Sequence, residues 1–137
     1  MISVYAPGSV SNVGCGFDVL GFALDEPGDI VSAAPQDDAG VTIAAIHGDG
    51  GRLTFDPLKN TASAAALVLL QRLQTTRGVA LTIHKGLPLE SGIGSSGASA
   101  VAAVVATNEL LGRPAPLELL LECAMAGEQA GCGAIHP

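Results

Sequence analysis

Apolar and polar positions alternate along Ile2–Ala6, and the run meets Pro7-Gly8, so the chain opens with a predicted strand entering a turn. Asp29–Ala33 and Val41–Ile46 predict two further strands, separated by the turn-forming stretch Pro35–Gly40. His47–Gly51 (HGDGG) has the composition of a hairpin connection to a short strand over Arg52–Phe55, which Asp56-Pro57 stops. From Asn60-Thr61 to about Gln74 the pattern becomes helical, with Ala62, Ala65, Ala66, Leu69, Leu70 and Leu73 on or near one face. Asn60 or Thr61 suits its N-cap. Val79–His84 is β-branched and alternating, a strand, and Lys85–Gly94 is a loop. Ser95–Leu111 is a helix almost without polar interruption, stopped by Gly112 and Pro114; such a helix belongs at the centre of a domain. Leu117–Ala130 predicts a third helix.

The order of strands, helix, strand, helix, helix differs from the regular alternation of a doubly wound sheet. It favours an α+β fold, a mixed or antiparallel sheet packed with helices. No internal repeat or low-complexity linker divides the chain.

Composition narrows the function classes. The 137 residues are 48% hydrophobic, 14% charged and 3% aromatic, a core-forming balance that excludes disorder. No apolar run reaches the roughly 18 residues of a membrane span. The N-terminus lacks the basic-then-apolar pattern of a secretion signal, so a cytoplasmic protein is expected. Six basic against thirteen acidic residues give a net charge of −7, without the basic footprint or stacking aromatics that nucleic acid requires. If phosphate is bound, backbone N–H groups and a metal must do it. Cys15, Cys123 and Cys132 match no zinc spacing and suit reduced thiols. Lys85 and Arg52 read as surface residues, and His47 and His84 carry no usable signal.

The chemistry-bearing segment is Leu87–Ser99, LPLESGIGSSGAS. A strand leads in and a buried helix leaves. Gly92, Gly94 and Gly97 clear side chains from where an anion would approach the backbone. Ser95 and Ser96 stand at the helix N-terminus, where unpaired N–H groups and the positive dipole end attract phosphate. An ordinary capped helix after a glycine turn is one reading. A dinucleotide fingerprint is another, because Gly92–Gly97 satisfies GxGxxG, but the strand that must follow its helix is replaced by a helix. A Walker A loop fails for want of Gly-Lys-Ser/Thr.

The third reading is a different nucleotide loop. Pro88, Gly92, Gly94, Ser95 and Ser96, followed by Gly97-Ala98, resemble the phosphate-binding motif of the GHMP small-molecule kinases, with Ile93 and Gly97 in place of the commoner Leu and Ala. The N-terminal Ala6-Pro7 and Ser11-Asn12, then Gly14-Cys15-Gly16-Phe17-Asp18-Val19-Leu20-Gly21, resemble the homoserine kinase branch of that family, with Cys15 where Pro is usual. Glu128 followed by His136-Pro137 extends the likeness over the whole chain.

The resemblance implies an ATP- and Mg²⁺-dependent transfer of phosphate to the hydroxyl of L-homoserine, a step of threonine biosynthesis. It implies that Asn12, Asp18 and His136 bind the amino-acid substrate, with Asp18 positioning it. Taken alone, Asn12 is a turn residue, Asp18 a solvated or capping side chain and His136 an exposed one. Asn60, Pro88, Gly92, Gly94, Ser95, Ser96 and Gly97 would contact ATP, and Ser96 and Glu128 would hold Mg²⁺. A helix cap for Asn60 and an exposed helix-end carboxylate for Glu128 are the competing readings.

Family members continue past the His-Pro pair with Asp-Asn and carry a second, C-terminal domain, neither of which lies in these 137 residues. Residues 1–137 are therefore expected to be the N-terminal ATP- and substrate-binding domain of a longer kinase. Such a piece would have negligible activity alone and would expose apolar surface, with homodimer formation or self-association as a consequence.

Overall fold

A computed structural model describes residues 1–10, 21–89 and 93–132. Four strands, β1 (Ile2–Val10), β2 (Phe22–Gln36), β3 (Gly40–His47) and β4 (Gly78–His84), form one sheet in the order β1-β2-β4-β3. β1 pairs antiparallel with β2 and β2 antiparallel with β4, while β3 and β4 run parallel. The parallel pair requires a crossover. Helix α1 (Thr61–Arg72) supplies it, and α2 (Ser95–Leu110) and α3 (Leu117–Cys132) follow. The sheet is mixed, one of the two arrangements expected for the α+β fold.

Alternation decides which face of the sheet is covered. Val31 and Ala33 of β2, Val79, Leu81 and Ile83 of β4, and Val41 and Ile43 of β3 are buried against Ala62, Ala66 and Leu70 of α1 and Ala98, Ala102, Ala103 and Ala106 of α2. Ser3 and Ser32, register partners on β1 and β2, join hydroxyls on the opposite face at 2.7 Å. Helix α2 packs on β1 and β2 and is covered in turn by α1 and α3. A second core, Ala65 and Leu69 with Ala100, Val104, Leu120, Cys123 and Ala124, fills the space between the three helices. The alanines of α2 thus serve two interfaces, which explains why the helix is apolar around its circumference. Among the described residues, Val101 of α2 and Leu117 and Leu121 of α3 are exposed apolar side chains. No described helix is long and apolar enough to cross a membrane.

Three expectations change. β1 does not turn at Pro7-Gly8; it continues to Val10 through an irregularity between Pro7 and Ser9. His47–Gly51 is no hairpin connection, because β3 pairs with β4 across the helical crossover. Arg52–Phe55 forms no strand. There the Asp49 carboxylate accepts the N–H groups of Gly51 and Leu53 at 3.1 and 2.9 Å, and Thr54 Oγ1 accepts that of Asp56 at 3.0 Å. These local bonds replace a strand ladder.

Candidate phosphate and metal site

The loop after β4 delivers the chain to the N-terminus of α2. Gly94 is the N-cap residue, left-handed at φ 74° and ψ 35°, and makes no side-chain cap bond. That conformation suits glycine. A glycine cap offers no side chain of its own to the first-turn N–H groups of α2, which stand at the positive end of the helix. Ser95 Oγ is buried with no hydrogen-bond partner among the described residues.

The end of β1 fixes this turn. Ser9 N–H donates to Ile93 O at 2.9 Å. A Cβ at Gly8 would lie 2.8 Å from the same carbonyl, so the strand reaches the loop only because position 8 has no side chain.

Ser96 Oγ donates to Glu128 Oε1 of α3 at 2.8 Å, and Thr61 Oγ1 of α1 donates to Ser96 O at 3.3 Å. Glu128 is 7% exposed, so it is an inward carboxylate and not the exposed helix-end residue of the competing reading. A Cβ at Gly97 would stand 3.2 Å from Glu128 Oε1, so a small residue there lets the carboxylate approach the helix end. Ser9, Gly94, Gly97 and Glu128 share a cleft with apolar Pro7, Val101 and Met125. A carboxylate beside a helix N-terminus is favourable by itself. It would repel phosphate unless a cation stood between them, and the hard oxygens of Ser96 and Glu128 suit Mg²⁺, which takes one or two protein oxygens and completes its shell elsewhere. Among the described residues no three His, Cys, Asp or Glu side chains cluster as a metal cage.

Asn60 lines a second cleft with Thr54, Thr61, Lys85 and Ser99. Its Oδ1 caps α1 by accepting Ala62 N–H at 3.0 Å, and its Nδ2 donates to Thr54 O at 3.1 Å. The cap reading of Asn60 is realised, and the amide keeps one donor and one lone pair beyond these bonds. Pro88 is exposed on the loop. Asn12, Asp18, Gly92 and His136 lie outside the described residues.

Sequence reasoning missed a group behind the loop. Lys85 is no surface residue: its side chain is 2% exposed and ion-pairs with Asp29, whose side chain is 0% exposed. Lys85 Nζ also donates to Ser95 O at 3.0 Å and to Ser99 Oγ at 2.9 Å. Ser99 Oγ donates to Asp29 Oδ2 at 2.8 Å, and Asp29 Oδ1 accepts Gly86 and Leu87 N–H at 2.9 and 3.0 Å. The available signal was a polar residue at an apolar position in each element: Asp29 beside Ile30-Val31, and Ser99 within the apolar helix.

The GHMP kinases N terminal domain family matches residues 60–136. A homoserine kinase of Chloroherpeton thalassium is 48% identical, over 98% of this chain and 46% of its own length. The crystal structure of homoserine kinase from Cytophaga hutchinsonii superposes with a TM-score of 0.95 at 50% identity, over 98% of this chain and 43% of that one. A mevalonate kinase from Methanococcus jannaschii shares the fold at a TM-score of 0.75 and 14% identity, over 98% of this chain and 48% of that one. The chain therefore spans less than half the length of these relatives.

Proposed function

This chain belongs to the GHMP kinases, in their N-terminal domain family, and from that premise we propose that it is the ATP- and substrate-binding domain of an enzyme that phosphorylates the side-chain hydroxyl of L-homoserine. The observation that carries the reading is the glycine-capped end of α2, with Ser96 bonded to Glu128, in a chain about half identical to homoserine kinases along nearly its whole length. In the reaction the substrate oxygen bonds to the γ-phosphorus of ATP, the bond from that phosphorus to the β-phosphate bridging oxygen breaks, ADP leaves, and the hydroxyl proton passes to solvent. Such transfers rest on positioning and charge neutralisation more than on covalent chemistry.

Each residue then has a definable task. The N–H groups of the first turn of α2, with Gly94 and Gly97 clearing the approach, hold the phosphates. Ser95, whose hydroxyl has no partner among the described residues, is a further donor to the same oxygens. Ser96 and Glu128 hold Mg²⁺, which, when bound, neutralises charge on the transferring phosphate. Asn60, lining the second cleft, meets the adenine or ribose end with its remaining amide donor. Pro88 and Gly92 belong to the ATP contacts, and Asn12, Asp18 and His136 bind the amino acid, Asp18 matching its ammonium.

The test is ADP release by the full-length protein with ATP against a panel of small alcohols, with MgATP calorimetry alongside. Turnover with L-homoserine well above the other alcohols is expected. Preference for a different alcohol would move the protein to another branch of the family. Absence of any MgATP heat would remove the nucleotide assignment altogether.

A further inference from the structure

We propose that Lys85 is a positioning residue for the nucleotide: from inside the fold, paired with Asp29, it orients the first peptide groups of α2 that cradle the phosphates. The inference rests on the kinase reading above.

Asp29 and Lys85 together tie both ends of one loop. Asp29 Oδ1 takes the N–H groups of Gly86 and Leu87 where the loop begins, and Lys85 Nζ holds Ser95 O where it enters the helix. The ammonium has three N–H bonds and three acceptors, Asp29 Oδ2, Ser95 O and Ser99 Oγ. Lys85 lines the second cleft, but its three ammonium donors are committed within the protein, so the charge acts on a ligand through Ser95.

The peptide unit makes that action specific. Ser95 O and Ser96 N–H belong to one rigid plane and point oppositely. Holding the carbonyl from behind aims the Ser96 N–H outward. Thr61 Oγ1 holds Ser96 O and does the same for the N–H of Gly97. Two successive donors at the helix end are therefore oriented by side chains that lie behind them.

Stability alone accounts poorly for the pair. A buried ion pair gains little over apolar residues of similar volume, because desolvation offsets the attraction. The pair is also neutral as a unit, so its value to a bound phosphate is geometric.

The test uses the full-length protein carrying Asp29→Asn together with Lys85→Met. The side-chain amide oxygen of the first substitution would still accept the loop N–H groups, and neither buried charge is left alone. The expected result is a melting temperature close to wild type, a MgATP KM raised about tenfold, since small misplacements of binding groups are expensive, and an unchanged homoserine KM. Ser99→Ala, which removes one acceptor of the buried ammonium, is expected to lower the melting temperature by a few degrees and to raise the MgATP KM severalfold at an unchanged homoserine KM. Wild-type MgATP KM in both variants would overturn the proposal. So would a parallel rise of both KM values with a fall in melting temperature, the mark of a merely structural role. A wild-type protein without homoserine-dependent ADP release would instead overturn the kinase reading on which the proposal stands.

Discussion

Ser96 Oγ and Glu128 Oε1 are hydrogen-bonded at 2.8 Å, joining the first turn of α2 to α3 across 32 residues of sequence. The contact puts a hydroxyl and a carboxylate of the proposed Mg²⁺ site together. Glu128→Gln keeps the hydrogen bond and the shape but removes the charge. Its apparent Mg²⁺ requirement is expected to rise roughly 10- to 100-fold, the scale seen when groups supporting a metal are altered. A magnesium titration of turnover measures this, and a wild-type requirement would remove Glu128 from the metal site.

Gly94 and Gly112 bracket α2, both left-handed, at φ 74° and 89°. Alanine at either position is expected to lose about 1–2 kcal/mol from backbone strain, read by urea denaturation. Gly112 faces open space, whereas a Cβ at Gly94 would meet Ser9 Oγ at 2.7 Å. Only Gly94→Ala should also weaken MgATP binding by calorimetry. Equal binding by the two variants would separate the N-terminal turn from the phosphates.

Asn60 carries two duties that substitution can part. Asn60→Ala removes the cap of α1 and is expected to lower stability by about 1 kcal/mol. Asn60→Asp keeps the cap oxygen and lacks the amide donor. It should hold the helix while weakening MgATP, and undiminished MgATP affinity in Asn60→Asp would leave the residue a cap only.

Asp18→Asn addresses the amino-acid end. Loss of the carboxylate that matches the substrate ammonium should raise the homoserine KM by about tenfold or more, with the MgATP KM unchanged. Turnover lost at unchanged homoserine affinity would make Asp18 a base and not a binder.

Cys123 lies between the helices at 0% exposure, and burial pushes its thiol above the ordinary value. The raised value keeps it protonated near neutral pH, so in the folded chain it should resist a thiol reagent such as iodoacetamide until denaturant is added. Peptide mapping of the alkylated protein reads the site directly, and rapid native labelling of Cys123 would contradict its packing.

Much of this was legible in the sequence, for identifiable reasons. Helix α2 announced its central position because, between its first turn and Thr107, Ala and Val fill almost every position. The glycine-serine turn before it left an ordinary capped helix and an anion site both open, because Gly and Ser suit helix caps and turns as well as phosphates. Lys85 was misplaced because a lysine after a strand is usually solvated, and only the third dimension brings Asp29 and Ser99 to it. Arg52–Phe55 looked extended because the bonds that Asp49 and Thr54 make to the backbone leave no periodic trace. The sheet order was hidden for a related reason: neighbours in sequence suggest neighbours in space, yet β4 lies between β2 and β3.

That insertion bears on how the chain is made. A ribosome releases β3, ending at His47, well before β4 begins at Gly78, and among the described strands β3 pairs only with β4. The nascent chain can close β1 on β2 early, but it must carry an unmated strand and the apolar face of α1 until the later strand emerges. Residues 78–84 thus act as the keystone of synthesis as well as of the sheet, and a pause before them exposes the edges on which such chains aggregate.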